Sequence, residues 1–167
     1  MLEEDVLHLA QITVEQLTSK GVMLTTAESC TGGLIAGALT SIAGSSSAVH
    51  GGFVTYSNRA KMEMLGVLEE TLDNFGAVSK QTACEMAEGA AQNGDTEISV
   101  AVTGIAGPGG ATHGKPVGLV HFACHYDGKT SHIKREFGDI GREEVREETV
   151  RVALTLVLAC LDKRTHP

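Results

Sequence analysis

The stretch VMLTTAESCTGGLIAGAL, residues 22–39, decides the fold that this sequence predicts. Residues 22–26 form a short apolar run typical of a buried strand, and residues 34–39 have the composition of a helix. Hydroxyl residues and the pair Gly32-Gly33 lie between them. A strand, a tight turn and a helix in succession are the repeating unit of an α/β sheet. We therefore predict an α/β fold, with the hydroxyls of residues 27–33 exposed at a turn.

The same alternation continues along the chain. The pattern predicts helices over 2–20, over 58–65 between the cap Ser57 and Gly66, and from Ser79 to Gly94. It predicts strands over 53–56 and 98–103, and a hairpin of 117–126 and 132–137 around Asp127-Gly128. The last predicted element is a helix over 143–161, with its inward face formed by Val145, Val152, Leu156 and Ala159. We predict one domain over residues 1–167. Its fold is a three-layer α/β/α sandwich, whose mixed, mostly parallel sheet carries an antiparallel hairpin.

Charge and composition exclude several classes of protein. The formal net charge is −8 and the longest basic runs are two residues, so the chain lacks the basic face that nucleic-acid binding requires. A small anionic ligand remains compatible, because backbone N–H groups bind phosphate without Lys or Arg. The four cysteines are scattered, which favours reduced, buried thiols over a disulfide framework.

The first residues, Met1-Leu2-Glu3-Glu4-Asp5, are acidic where a secretory signal is basic, and no segment has the roughly 20 apolar residues of a membrane span. We expect a cytoplasmic protein with no membrane partner. Small α/β enzymes commonly dimerise, so we also expect a homo-oligomer.

Three segments share one design, in which small or hydroxyl residues follow directly after a strand. They are residues 25–33, 56–61 and 103–110. Ligands of open α/β sheets bind outside the carboxyl ends of the strands. If these three strands run parallel, the three segments lie at one rim, and we predict the ligand site there.

Ser29 is the candidate nucleophile, because the helix that follows it offers free N–H groups and a positive dipole end for an oxyanion. Lys61 is the candidate base, because burial and the start of its helix would both depress the pKa of its amine. A capping serine and a surface lysine are the plain alternatives. Tyr56 either relays protons or simply ends a strand, and Thr103 is the hydroxyl at the mouth of the third segment.

Ligand contacts are expected mainly from the glycines of these segments and from two charged side chains. We assign substrate binding to Glu28, Thr31, Gly32, Gly33, Gly104, Gly107 and Arg142. Glu28 near a helix start is also an expected capping acid, and Arg142, like Arg146, either reaches a phosphate or lies at the surface. Backbone N–H groups around Thr31–Gly33 or Gly104 are the alternatives for the oxyanion site. The histidines around the hairpin are more typical of ordinary sheet positions than of a metal site.

At these segments the sequence resembles the CinA C-terminal domain family. The matching stretches are residues 26–33, 42–46, 52–58 with Lys61, 76–79, 103–108 and 115–118. The resemblance implies an amidohydrolase that converts nicotinamide mononucleotide and water into nicotinate mononucleotide and ammonia. It also implies a serine–lysine pair that works without metal or cofactor, and these roles fall on Ser29 and Lys61, with Tyr56 and Thr103 nearby. Two rival hypotheses stay open, a nucleotide-binding sensor without turnover and an interaction protein whose activity has lapsed.

Overall fold

A computed structural model describes residues 2–163. The helices are α1 (Glu4–Lys20), α2 (Leu34–Thr40), α3 (Asn58–Leu65), α4 (Glu69–Phe75), α5 (Lys80–Gly94) and α6 (Arg142–Lys163), and the strands are β1 (Leu24–Glu28), β2 (Val49–Val54), β3 (Ile98–Gly104), β4 (Leu119–Tyr126) and β5 (Lys129–Glu136). A short 3-10 helix, Ser45–Ser47, precedes β2.

One five-stranded sheet, in the order β2-β1-β3-β4-β5, forms the middle layer. β2 and β3 flank β1 and run parallel to it, whereas β4 is antiparallel to β3 and β5 is antiparallel to β4. The predicted mixed sheet with an antiparallel hairpin is therefore confirmed. The parallel half places the carboxyl ends of β1, β2 and β3 at one edge of the layer.

Helices cover both faces of the sheet, which confirms the three-layer architecture. On one face α1, α2 and α6 pack in a core that includes Leu17, Ile35 and Leu154, and on the other α5 packs its Met86 and Ala90 against the sheet. β1 is buried along its whole length because its two faces meet these two layers. Within residues 2–163, no helix has both the length and the apolar character that crossing a bilayer demands.

The structure differs from the predicted elements in five main places. α4 was not predicted. β1 lies two residues later than the predicted strand, and β2 ends at Val54, so Thr55 and Tyr56 follow the strand. β5 begins at Lys129, so the hairpin turn is tighter than predicted. Ala159, predicted to face inward, is exposed on α6, while Val145 and Leu156 are buried and Val152 is half-buried.

Candidate active site

The carboxyl ends of the three parallel strands surround a pocket of about 280 Å³. Seven of the residues proposed from the sequence line it, namely Ser29, Tyr56, Lys61, Thr103, Gly104, Gly107 and Arg142. Cys30, Ala77, Val78 and further residues of the loop after β3 complete the wall. The parallel arrangement of β1, β2 and β3 therefore brings the three hydroxyl- and glycine-containing segments to one rim.

Ser29 and Lys61 meet in this pocket although 32 positions separate them in the chain. The backbone N–H of Ser29 donates to Val102 O at 3.1 Å, which holds the residue just beyond the end of β1. Ser57 caps α3 by accepting the N–H of Ala60 at 3.0 Å, and Lys61 follows in the first turn. Lys61 Nζ donates to Ser29 Oγ at 2.9 Å and to Thr55 O at 2.8 Å.

The amine of Lys61 lies in surroundings that disfavour its charge. Lys61 is 1% exposed, and within residues 2–163 it has no carboxylate partner in an ion pair. Burial lowers the pKa of Lys61 to about 8, against a smaller opposing effect of Cys30. A substantial fraction of the amine is therefore neutral near physiological pH, and a neutral amine carries the lone pair that a base needs.

Cys30 is the competing nucleophile in the same wall. Burial raises the pKa of the Cys30 thiol to about 12. The thiol therefore stays protonated at neutral pH, and a thiol is a weak nucleophile compared with a thiolate.

In the turn after β1, several polar groups form hydrogen bonds with one another. The Glu28 carboxylate, 1% exposed, accepts the N–H groups of Ile35 and Ala36 at 2.8 and 3.1 Å and the Thr31 hydroxyl at 2.6 Å. The N–H of Gly32 donates to Ser29 O at 3.0 Å. The start of α2 is therefore capped by Glu28, and of the N–H groups that the sequence suggested for an oxyanion, that of Gly32 is bound within the protein.

Four residues that the sequence suggested for substrate binding do not line the pocket, namely Glu28, Thr31, Gly32 and Gly33. The two glycines adopt left-handed backbone conformations, with φ of +58° and +107°, that carry the chain from the serine into α2. The two glycines therefore allow the tight turn that follows Ser29.

Arg142, at the start of α6, connects two sides of the pocket. Its Nη1 donates to Gly107 O at 2.8 Å, and its Nη2 donates to the Tyr56 hydroxyl at 2.7 Å. Tyr56 is 61% exposed, so the pair lies at the open mouth. Arg146, one turn further along α6, donates from Nε to Cys30 O at 3.1 Å and from Nη2 to Thr31 O at 3.2 Å, which holds the nucleophile turn from behind.

Thr103, on β3, is a buried residue of the pocket wall. Its hydroxyl donates to Ala77 O at 2.8 Å and fixes the segment before α5 against β3. Sequence reasoning missed Ala77 and Val78 as wall residues and Thr55 O as a partner of Lys61. The only sequence feature that indicated residues 76–79 was the family resemblance described above. No sequence feature indicated that the carbonyl of Thr55 would accept a hydrogen bond from Lys61.

The histidines of the hairpin form a contact of their own. His121 and His132 stack with ring centroids 5.1 Å apart, and His121 Nδ1 lies 2.9 Å from His132 Nε2. Burial, assisted by His132, lowers the pKa of His121 to about 4. Among the described residues, no group of three or more His, Cys, Asp or Glu side chains is arranged to hold a metal ion.

The comparisons with known proteins agree with this architecture. The crystal structure of competence/damage inducible protein CihA from Agrobacterium tumefaciens is similar with a TM-score of 0.93 and 55% identity, covering 97% of this chain and 98% of that one. A competence-damaged protein (CinA) superfamily protein from Escherichia coli matches with a TM-score of 0.89 and 37% identity over 95% of this chain and 92% of that one.

Curated sequences show the same relationship. A CinA-like protein of Kosmotoga olearia is 45% identical over 153 residues, which are 92% of this chain and 37% of the relative. The chain thus spans little more than a third of the length of this relative. The model of the CinA C-terminal domain matches residues 6–161. The chain therefore belongs to the CinA C-terminal domain family.

Proposed function

We propose that this protein is an amidohydrolase that deamidates nicotinamide mononucleotide to nicotinate mononucleotide and ammonia. The observation that carries the proposal is the 2.9 Å contact between Lys61 Nζ and Ser29 Oγ inside a pocket. A buried hydroxyl beside an amine of lowered pKa is the arrangement that covalent catalysis by serine requires. The family resemblance supplies the substrate, and the pocket volume of about 280 Å³ suits a small aromatic amide.

The first half of the reaction forms an acyl-enzyme. Neutral Lys61 takes the proton from Ser29 while Oγ attacks the carboxamide carbon, and Thr55 O, by accepting one N–H, helps to direct the remaining lone pair of the amine at the serine. The protonated Lys61 then gives its proton to the departing nitrogen, which leaves as ammonia. Cleavage of the C–N bond leaves a nicotinoyl ester on Ser29.

In the second half of the reaction, water hydrolyses the ester on Ser29. Lys61, neutral again, takes a proton from water, and the resulting hydroxide attacks the ester carbon. The C–O bond to Ser29 breaks and the serine recovers its proton from Lys61. We assign oxyanion stabilisation to the backbone at the end of β3 and in the loop that follows it, because Gly104 and Gly107 line the pocket, whereas Gly32 and Gly33 do not and the N–H of Gly32 is already bound.

A release assay across a panel of amides tests the proposal. We expect ammonia from nicotinamide mononucleotide, with less from its riboside and little from free nicotinamide. A nucleotide-binding sensor would instead gain thermal stability from the same ligands without releasing ammonia. Absence of ammonia from every pyridine amide, in a protein that is folded by circular dichroism, would exclude the hydrolase.

Arg142 is the expected contact for the substrate phosphate at the mouth of the pocket. Its guanidinium retains donors beyond the bonds to Gly107 O and the Tyr56 hydroxyl, and Arg suits phosphate geometry. Replacing Arg142 with Gln should raise KM for the mononucleotide about tenfold, while KM for the riboside changes little. Steady-state kinetics on both substrates measure this.

The matched control is Arg59→Gln, since the side chain of Arg59 is 81% exposed and pairs with Glu63 on the outer side of α3. Equal rises of KM for both substrates in Arg142→Gln would show that Arg142 shapes the pocket instead of binding phosphate.

A further inference from the structure

Two cysteines that take no part in the proposed reaction lie together at the hairpin end of the molecule. Cys124 on β4 is paired directly with Ser131 on β5 in the antiparallel ladder. Cys160, in the last turns of α6, packs in the same core as Cys124. A cross-strand pair has its side chains about 5 Å apart, so a residue above it from α6 reaches both. The fold thus brings two thiols and a hydroxyl to one point.

The side chains interact directly. The Cys160 side chain lies beside the Cys124 thiol and the Ser131 hydroxyl, and Lys163 lines the same cleft. The contact with Cys124, and more weakly those with Ser131 and Lys163, favour the thiolate and lower the pKa of Cys160 against the opposing effect of burial. The same contact raises the pKa of Cys124 well above its ordinary value. Cys160 also lines a cleft whereas Cys124 is fully buried, so Cys160 is the better placed of the two sulfurs to act as the nucleophile.

Small molecules have a route to this pair. Cys160 lines a cleft of about 230 Å³. The other lining residues are Tyr126, Asp127, Lys129, Ser131 and Lys163. Cys160 is 6% exposed and Cys124 is fully buried behind it. The cleft is remote from the Ser29 pocket, since Cys160 lies about 27 Å along the α6 axis from Arg142 at 1.5 Å per residue.

We propose that Cys160 and Cys124 form a peroxide-reactive dithiol, in which Cys160 is the attacking thiol and Cys124 the resolving one. The Cys160 thiolate attacks a hydroperoxide oxygen, the O–O bond breaks, and the products are Cys160 sulfenic acid and, after protonation, water or an alcohol. The Cys124 sulfur then attacks the sulfenic sulfur. A disulfide forms and the hydroxyl leaves as water with the Cys124 proton. In sum the two thiols lose two electrons to the peroxide, and an added dithiol reverses the change.

Non-reducing peptide mapping of the full chain treated with hydrogen peroxide tests this directly. We expect a Cys124–Cys160 disulfide that dithiothreitol removes. In Cys124→Ser, a dimedone adduct should instead accumulate on Cys160, because the resolving thiol is gone. In Cys160→Ser, Cys124 should remain a free thiol.

Alkylation of the untreated protein gives an independent measurement that needs no variant in the pair. The pKa of Cys160 is lowered whereas the pKa of Cys84 is raised, so a larger fraction of Cys160 is thiolate at neutral pH. Cys160 should therefore react with iodoacetamide faster than Cys84.

Cys84 is the internal control. It is half-buried on α5, so access alone would favour it over Cys160, and burial raises the pKa of its thiol. A disulfide that includes Cys84 or Cys30, free thiols at both Cys124 and Cys160 after peroxide, or alkylation of Cys84 ahead of Cys160 would each overturn the proposal.

Discussion

Ser29→Ala should lower kcat for ammonia release by about a thousandfold or more, with little change in KM. The serine oxygen makes the bond to the substrate carbon, so its loss removes an interaction that exists only during the chemical step. The site is otherwise retained, because Lys61 keeps its hydrogen bond to Thr55 O and Arg146 keeps the turn in place. Steady-state ammonia release from the mononucleotide measures the effect.

Two further variants make this result specific. Ser47→Ala removes an exposed hydroxyl from the 3-10 helix before β2 and should keep the parent rate. Cys30→Ala removes the neighbouring thiol and should keep activity within about tenfold, since the raised pKa of Cys30 holds it protonated. Parent-like turnover by Ser29→Ala would remove Ser29 from the role of nucleophile, and a large loss in Cys30→Ala alone would transfer that role to the thiol.

The architecture was predictable because its determinants are local. Apolar runs of strand length, caps such as Ser57 and Ser79 and stops such as Gly66 specify most elements from neighbouring residues alone. The right-handed rule for parallel connections and the carboxyl-end rule for ligands then place the three segments at one rim. The pocket follows from these local patterns and a general topological rule.

α4 escaped prediction for equally local reasons. The helix has seven residues, its N-cap Leu68 makes no side-chain capping bond, and Phe75 at its end is 46% exposed. Such a segment has too little apolar periodicity to be distinguished from a loop. It forms because tertiary contacts supply what the sequence lacks, as in the bond from Thr71 to Glu85 of α5.

The detailed contacts of the site depend on long-range geometry that spacing cannot supply. Arg142 reaches Tyr56 across 86 positions, and Arg146 reaches Thr31 across 115. The capping of α2 by Glu28 is the instructive case. A carboxylate before a helix was foreseen, but not that it would be fully buried and would bind the N–H groups of Ile35 and Ala36.

Lys61→Met should lower kcat by about a hundred- to ten-thousandfold, the range associated with losing a general base. Met has a similar length without a proton acceptor, so the pocket wall is maintained. In the parent protein, activity should rise with pH and level off above about pH 8, because only the neutral amine accepts the serine proton. The residual activity of Lys61→Met should lack this step.

The lowered pKa of Lys61 also affects the pH dependence of the free energy of unfolding, which can be measured independently of catalysis. The pKa of Lys61 is about 8 in the folded protein and near 10.5 in the unfolded chain, so between these pH values the unfolded chain binds more protons. The free energy of unfolding should therefore rise with pH across this window, by about 3 kcal/mol in all, and the full penalty applies below pH 8. Lys61→Met should lose this rise, even though it leaves Thr55 O without its partner.

Urea unfolding at several pH values, compared between the parent, Lys61→Met and the exposed-site control Lys129→Met, measures the contribution of Lys61 alone. Other lysines and tyrosines titrate in the same range, but they are common to all three proteins and cancel in the comparison. A difference curve between parent and Lys61→Met that is flat from pH 7 to 11 would mean that the buried amine keeps its proton at its ordinary pKa. An ammonium holding its proton through neutral pH cannot take one from Ser29, and the serine–lysine mechanism would then fail whatever the kinetics of the variant.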